Sequence, residues 1–474
     1  MLIRNAEIYA QGVADLRLFQ GRIVDIGALK PGVGEEVLEA DGSALLPGLH
    51  DHHIHLAALA ARRSSVLCGP PEVQNKEALA ARLAEPGMGW LRGIGYHESV
   101  AGMLDAGTLD RMAGDRPVRI QHRGGRMWFL NSAALDILLA QSAPPPGLEK
   151  VTGKFTGRLF DEDGWLKQAL GSTPPDFADI SAELASHGVT GITDMSPAND
   201  PEMAHHFHAQ QQAGRLLQHC LLAGTLKLTE AGFDDGLQLG PAKLHLHEAE
   251  LPEMESVISF IQTAHEQGRP VAIHCVTETE LVFALAMLEE AGTMPGDRIE
   301  HASVTPDPLL AQIARMGLRV VSQPHFIAER GDRYRQDVEV RDQPYLYRLK
   351  AFIDAGVSLA AGSDAPFGKP DPWASMAAAI SRSTSDGYIM GVDEALTPEE
   401  ALDLYLADPV DLARTRNIEV EAPADLCLLD RSWTEARKRL SAEYVRATII
   451  GGSVVYDRVD QSPLQSRLRI EAFA

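Results

Sequence analysis

The chain has 474 residues, 45% hydrophobic and 23% charged, enough to bury a large core and to build more than one compact unit. Forty-three Lys and Arg against 66 Asp and Glu leave a net charge of −23, which repels phosphate backbones and anionic lipid and argues against nucleic-acid and membrane-surface partners. The four cysteines, Cys68, Cys220, Cys275 and Cys427, form no CxxC arrangement, so a disulfide framework or zinc finger is not expected and a reducing compartment fits. The start lacks an uninterrupted apolar stretch with a cleavage site, and no apolar run reaches about 18 residues. The expectation is a soluble, cytoplasmic protein.

In chain order, the first 45 residues read as β. "LRLF" and "RIVDIG" flank Gln20-Gly21, a hairpin turn, and "EEVLEADGSALL" follows with alternation. At the far end "ADLCLLD" and "RATIIGGSVVYD" are short strands, the latter turning at Gly451-Gly452. Two β-rich ends around a different middle predict that residues 1–46 and 417–474 meet in one small β-sandwich domain. The middle alternates strand-like runs with helical stretches. The runs are "ALLPGLHDHHIH", "PVRIQHRGG", "GVTGITDMS", "AKLHLHE", "PVAIHCV", "RIEHAS", "RVVSQP" and "SLAAGSD", and helices such as "ESVISFIQTAHEQG" and "DPLLAQIARMG" end at glycine stops. Eight such runs predict an α/β fold, a (β/α)8 TIM barrel over 47–416, with insertions at about 57–115 and 125–187.

"GLHDHHIHL" places His50, His52, His53 and His55 within six positions. Residues two apart on a strand share a face, so His53 pairs with His55 and His50 with His52, and spacing alone does not choose between the pairs. Downstream, His274 ends one strand run, His301 the next and Asp364 the last. Barrel strands gather such groups at their C-terminal ends, and imidazoles with a carboxylate suit a divalent transition metal, zinc above all. Cys275 alternates away from His274 and reads as a buried thiol, and Asn131 reads as the cap of the helix "SAALDILLAQ".

"LLPGLHDHHIHL" resembles the PG-x-x-D-x-H-x-H element of the amidohydrolase superfamily, and the later H…H…SD series follows in that family's order. "APADLCLLD" is similar to the family's closing β-domain element. "NSAAL", "RIEH", "QPHF" and "GSDAP" resemble the amidohydrolase family 3 branch that contains N-substituted formamide deformylase. The resemblance implies His53 and His55 as metal ligands together with His274, His301 and Asp364, and leaves His52 as a neighbour that enters the pocket or supports it. It implies Lys243, in "AKLHLHE", as a carboxylated lysine bridging a second ion, with His247 a rival ligand from the same strand. One or two ions, most simply zinc, would activate water. Asp364 would act as base and then acid, and His301 or an arginine would stabilise the oxyanion. Arg123, Arg126 and Trp128, in "HRGGRMW", either clamp a substrate carboxylate or form a salt-bridged loop. Where relatives carry DGH this chain has Gly124, Gly125 and Arg126, and Asp161 takes an acidic position in a changed element.

The leading expectation is therefore a metal-dependent hydrolase of a non-peptide C–N bond, in a linear or cyclic amide or an N-formyl or N-acyl compound. The runner-up is a mononuclear-metal deaminase of a heterocyclic amidine, using Glu278 or Glu280; third comes a catalytically inactive scaffold. The expected partner is a small-molecule substrate, with a homo-oligomer compatible and neither nucleic acid nor membrane involved.

Overall fold

The computed structural model describes residues 1–171 and 174–459; residues 460–474, the tail of the expected terminal domain, lie outside these. Alternating apolar residues at both ends of the chain build one sheet. Its order is Ser453–Asp457, Val445–Ile450, Leu426–Leu429, Ala44–Pro47, Leu2–Ile8, Gly12–Phe19 and Arg22–Gly27. The two ends meet where Ala44–Pro47 pairs antiparallel with Leu426–Leu429. Both predicted hairpin turns form. Gln20 and Gly21 have φ of 47° and 75°, Gly451 and Gly452 of 56° and 79°, the double positive φ of turns that match strand twist. The sheet buries Ile3, Ile8, Leu16, Ile23, Leu426, Leu428 and Ile449.

The middle of the chain makes an eight-stranded parallel sheet of β1 (Leu49–Ile54), β2 (Val189–Asp194), β3 (His219–Gly224), β4 (Leu237–His245), β5 (Val271–Cys275), β6 (Arg298–His301), β7 (Arg319–Ser322) and β8 (Leu359–Ala361), each bonded to the next. It closes just past the strand ends, where the Asp364 amide donates to the His53 carbonyl at 2.6 Å and the His55 amide to the Ala365 carbonyl at 2.8 Å. β1, β2 and β6 are buried at every position, as strands covered on both faces must be. Helices such as Met254–Glu266, Glu278–Ala291 and Asp307–Arg315 lie between strands, the second opened by a capping box of Thr277 and Glu280.

One predicted barrel strand is corrected. "PVRIQH" does not join the barrel: Val118–His122 pairs with Leu91–Tyr96 and Met127–Leu130 in a separate sheet. Its alternate positions Arg119 and Gln121 are polar and stay half-buried, unlike the near-continuous apolar runs of strands at the centre of a parallel barrel. The barrel's third strand is instead "HCLLAG", His219–Gly224, a run that ends on no functional side chain and so gave no chemical signal.

β1 carries one extra residue. Asp51 stands opposite Ile192 and Ile54 opposite Asp194, three steps on one strand against two on its neighbour, which is a bulge. Asp51 Oδ1 holds it, accepting from the His53 amide at 3.1 Å and the Ser363 amide at 2.9 Å. Strict alternation therefore breaks between His52 and His53.

Residues Ala57–Pro175 form a compact unit of their own. Its six-stranded sheet runs Leu148–Val151, Lys154–Phe160, Met127–Leu130, Val118–His122, Leu91–Tyr96 and Val66–Leu67. One face packs Leu91, Val118, Ile120 and Phe129 against Leu79 and Leu109, and the other packs Trp128, Leu130 and Leu159 against Leu135, Leu138 and Leu166. No helix among the described residues is long and apolar enough to cross a membrane.

Candidate functional site

His53, His55, His274, His301 and Asp364 all stand at or just beyond the C-terminal ends of β1, β5, β6 and β8. Ligand atoms of His53, His301 and Asp364 lie within 4.8 Å of one another. Asp364 Oδ1 is 3.5 Å from His53 Nε2 and 3.2 Å from His55 Nε2. The His301 ring is 4.8 Å from that of His53 and 4.5 Å from that of His274, centre to centre. His274 stacks on His245 at 4.2 Å and borders a cavity of about 670 Å³ lined also by His247, Val276 and Thr277.

Each of three imidazoles is anchored through Nδ1, which leaves Nε2 for the site. His53 Nδ1 is held by Glu300 at 2.5 Å, His55 Nδ1 by Ser196 Oγ at 3.2 Å and His301 Nδ1 by Gln323 Oε1 at 2.7 Å. Such partners fix ring orientation and tautomer. Glu300 in turn accepts from Arg298 Nε at 2.5 Å. None of these supporting residues was singled out from sequence, although Glu300 lies in "RIEH" and Gln323 in "QPHF", where a polar residue within a buried strand was the available signal.

The electrostatics keep His53, His274 and His301 neutral and the carboxylate charged. Burial pushes His53 down to about 3 and lowers His301 and His274 as well. Burial raises the Asp364 carboxyl, but His55, His301 and His53 outweigh it and hold the group below the ordinary carboxylate range. Neutral imidazoles beside an ionised carboxylate form the donor set a divalent cation requires. His301 and Asp364 also hold positive φ of 70° and 50°, backbone strain of the kind concentrated at functional sites.

Lys243, on β4, is 4% exposed, and its Nζ has no hydrogen-bond partner. Burial brings its pKa down to about 8, so neutral amine is accessible near neutral pH. His247 falls past the end of β4, where its Nδ1 accepts from the Ala249 amide at 3.3 Å.

The other pair in the opening motif sits elsewhere in the barrel. His50 Nε2 contacts Thr193 Oγ1 at 2.9 Å, and His50 lines a cavity of about 540 Å³ with His219, Arg416 and Asp425. His219 starts β3, so this cavity lies at the N-terminal ends of the strands. His52 is fully buried, its ring 4.6 Å from that of His50, with neither ring nitrogen hydrogen-bonded.

Arg123, Arg126 and Trp128 belong to the Ala57–Pro175 unit. Arg126 makes a two-pronged ion pair with Asp161 at 2.7 and 3.1 Å, so two departures from the family pattern meet each other. Trp128 Nε1 donates to Asp163 at 2.8 Å, and Arg123 is exposed. Asn131 caps Ser132–Gln141 as expected, and Cys275 is a buried free thiol.

A closed parallel barrel with convergent imidazoles and a carboxylate at its C-terminal rim defines a metal-site hydrolase scaffold. The amidohydrolase family model matches residues 36–456, and the chain belongs to that family, as a hydrolase of carbon–nitrogen bonds. It is 26% identical to N-substituted formamide deformylase of Arthrobacter pascens, over 89% of this chain and 90% of that one. It is 24% identical to the putative amidohydrolase YtcJ of Bacillus subtilis, over 89% and 91%. Among solved structures it resembles an uncharacterized metal-dependent hydrolase from Pyrococcus horikoshii with a TM-score of 0.74 and 21% identity, covering 91% of this chain and 97% of that one.

Proposed function

We propose that this amidohydrolase is a zinc-dependent, cytoplasmic enzyme cleaving a non-peptide C–N bond in a small molecule: a linear or cyclic amide, or an N-formyl or N-acyl compound. The observation that carries the reading is the anchoring of His53, His55 and His301 through Nδ1, two of them with Nε2 turned onto Asp364. Residues 1–46 and 417–474 would form the supporting sheet domain, and 47–416 the catalytic barrel with its inserted unit.

The metal ligands in this reading are His53, His55, His274, His301 and Asp364, with Lys243 as a carbamate where two ions bind. A divalent cation held by these residues would lower the pKa of water toward about 7 and polarise the scissile carbonyl. The unpartnered, buried Lys243 amine supports carbamate formation, since burial favours the neutral amine, which would combine with CO2 and release a proton to give an anion able to hold the cations. Asp364, kept ionised, takes the proton from attacking water and returns it to the departing nitrogen. His301 supports charge on the carbonyl oxygen. Similarity to N-substituted formamide deformylase favours the N-formyl end of the substrate range. The deaminase reading gains nothing from Glu280, whose carboxylate is spent on the amides of Glu248, Val276 and Thr277.

Elemental analysis of the purified protein, paired with a hydrolysis panel of N-formyl, N-acyl and cyclic amides and an ammonia assay on heterocyclic amidines, tests this. Bound zinc with amide turnover is expected. Protein that binds no divalent metal and hydrolyses nothing after zinc addition would falsify it.

A further inference from the structure

Within the Ala57–Pro175 unit, Leu91–Tyr96 and Val118–His122 run parallel, and Arg92 stands directly opposite Arg119. Their neighbours Leu91, Val118 and Ile120 enter the apolar core on one face of the sheet, so alternation turns both arginines to the other. Like charges directly opposed on adjacent strands are destabilising, and the one acid that acts on the pair, Asp163, reaches only Arg92 and only at a distance. Among the described residues, neither guanidinium makes an ion pair within 4 Å or donates a hydrogen bond. The Arg119 Nε is wholly buried and unpartnered. Asp163, the acid whose charge Arg92 senses, is engaged by the Trp128 indole at 2.8 Å.

What surrounds the pair is apolar and aromatic, with Leu130 directly opposite Arg119. Arg92 and Arg119 each place Cζ 5.9 Å from the centre of the Trp128 ring, and Arg119 lies 6.0 Å from that of Trp90. Cation–π attraction at this distance steadies the guanidinium groups while leaving their N–H groups unspent. Two partly buried cations with up to five donors each, and no acceptors, lack one thing: a planar or tetrahedral group of negatively charged oxygens. Burial depresses both arginines, Arg119 to about 10 with Arg92 contributing and no acid opposing.

We infer that Arg92 and Arg119, framed by Trp90 and Trp128, form a binding site for the oxyanion group of a small molecule, a carboxylate or a phosphate. The site is distinct in composition from the barrel's imidazole cluster and stands whether or not the proposed hydrolysis is correct.

The test is thermal unfolding of the full-length, metal-loaded protein in increasing inorganic phosphate or acetate, with chloride matched for ionic strength. Wild type should be stabilised by one of the two, which identifies the anion class. Arg92→Gln and Arg119→Gln should each weaken the apparent affinity at least tenfold, and Arg119→Lys, which keeps charge but loses the fork, should weaken it to an intermediate degree. Without anion, Arg92→Gln should melt no lower than wild type, because it relieves repulsion. No stabilisation of wild type by either anion, or equal stabilisation of wild type and the Arg119→Lys and Gln variants, overturns the assignment.

Discussion

Glu300 holds His53 by its Nδ1 at 2.5 Å, with both side chains almost wholly excluded from solvent. The contact spans the barrel from β6 to β1, strands that are not neighbours. Arg298, 3% exposed, completes the chain by donating to the second Glu300 oxygen. Glu300→Gln keeps the shape and removes the charge. It should weaken zinc affinity about 10–100-fold and cost roughly 3–5 kcal/mol of stability, because Arg298 is left buried without its counter-ion. Chelator competition and denaturant unfolding measure the two effects, and neither changing would show that Glu300 does not orient His53.

Asp364→Asn should lower kcat by about 10²–10⁴-fold while the protein retains at least one ion on its imidazoles. Turnover and metal content must be measured on the same preparation. Wild-type turnover in the variant would remove Asp364 as the proton carrier.

The metal-free protein should become more stable as pH rises from about 8 to 10.5. Lys243 has its folded pKa brought down to about 8 from 10.5, first by burial, so the unfolded chain binds the extra proton across that window. Below pH 8 the cost of burying the ammonium is fully present. Lys243→Met should be more stable than wild type at pH 7, by an amount on the order of 3 kcal/mol, and should lack the rise. Urea unfolding of both proteins at stepped pH checks this; parallel profiles would refute it.

Gly362→Ala should disturb the site through the backbone. A β-carbon there would stand 2.3 Å from the His53 amide nitrogen and 2.5 Å from its Cβ, contacts that only main-chain movement relieves. A loss of about 1–3 kcal/mol or more, with reduced zinc occupancy, is expected from calorimetry and elemental analysis. Full occupancy at unchanged melting temperature would mean the closure between β1 and β8 is looser than the geometry implies.

Much of this was legible because period-two alternation and turn chemistry are local. Gln20-Gly21 and Gly451-Gly452 turn where expected, and the strand-end positions of His274, His301 and Asp364 follow from short apolar runs closing on a polar residue. Two things were not. Val118–His122 has the same local look as a barrel strand, and only its non-local pairing with Met127–Leu130 assigns it to another sheet. The β1 bulge is likewise invisible in spacing, since it is made by Asp51 reaching the amide of Ser363, 312 positions away. The supporting Glu300, Gln323 and Ser196 share this character: each matters through a partner far along the chain.

The closure of β1 against the Asp364 loop has a kinetic consequence. The segment carrying His53 and His55 is made well before its flanking partners, which are β2, about 140 residues later, and the Asp364 loop, about 310 residues later. Closing such long loops is slow. A nascent chain thus presents a histidine-rich, apolar segment until those partners follow, and the complete ligand set exists only once Asp364 has left the ribosome.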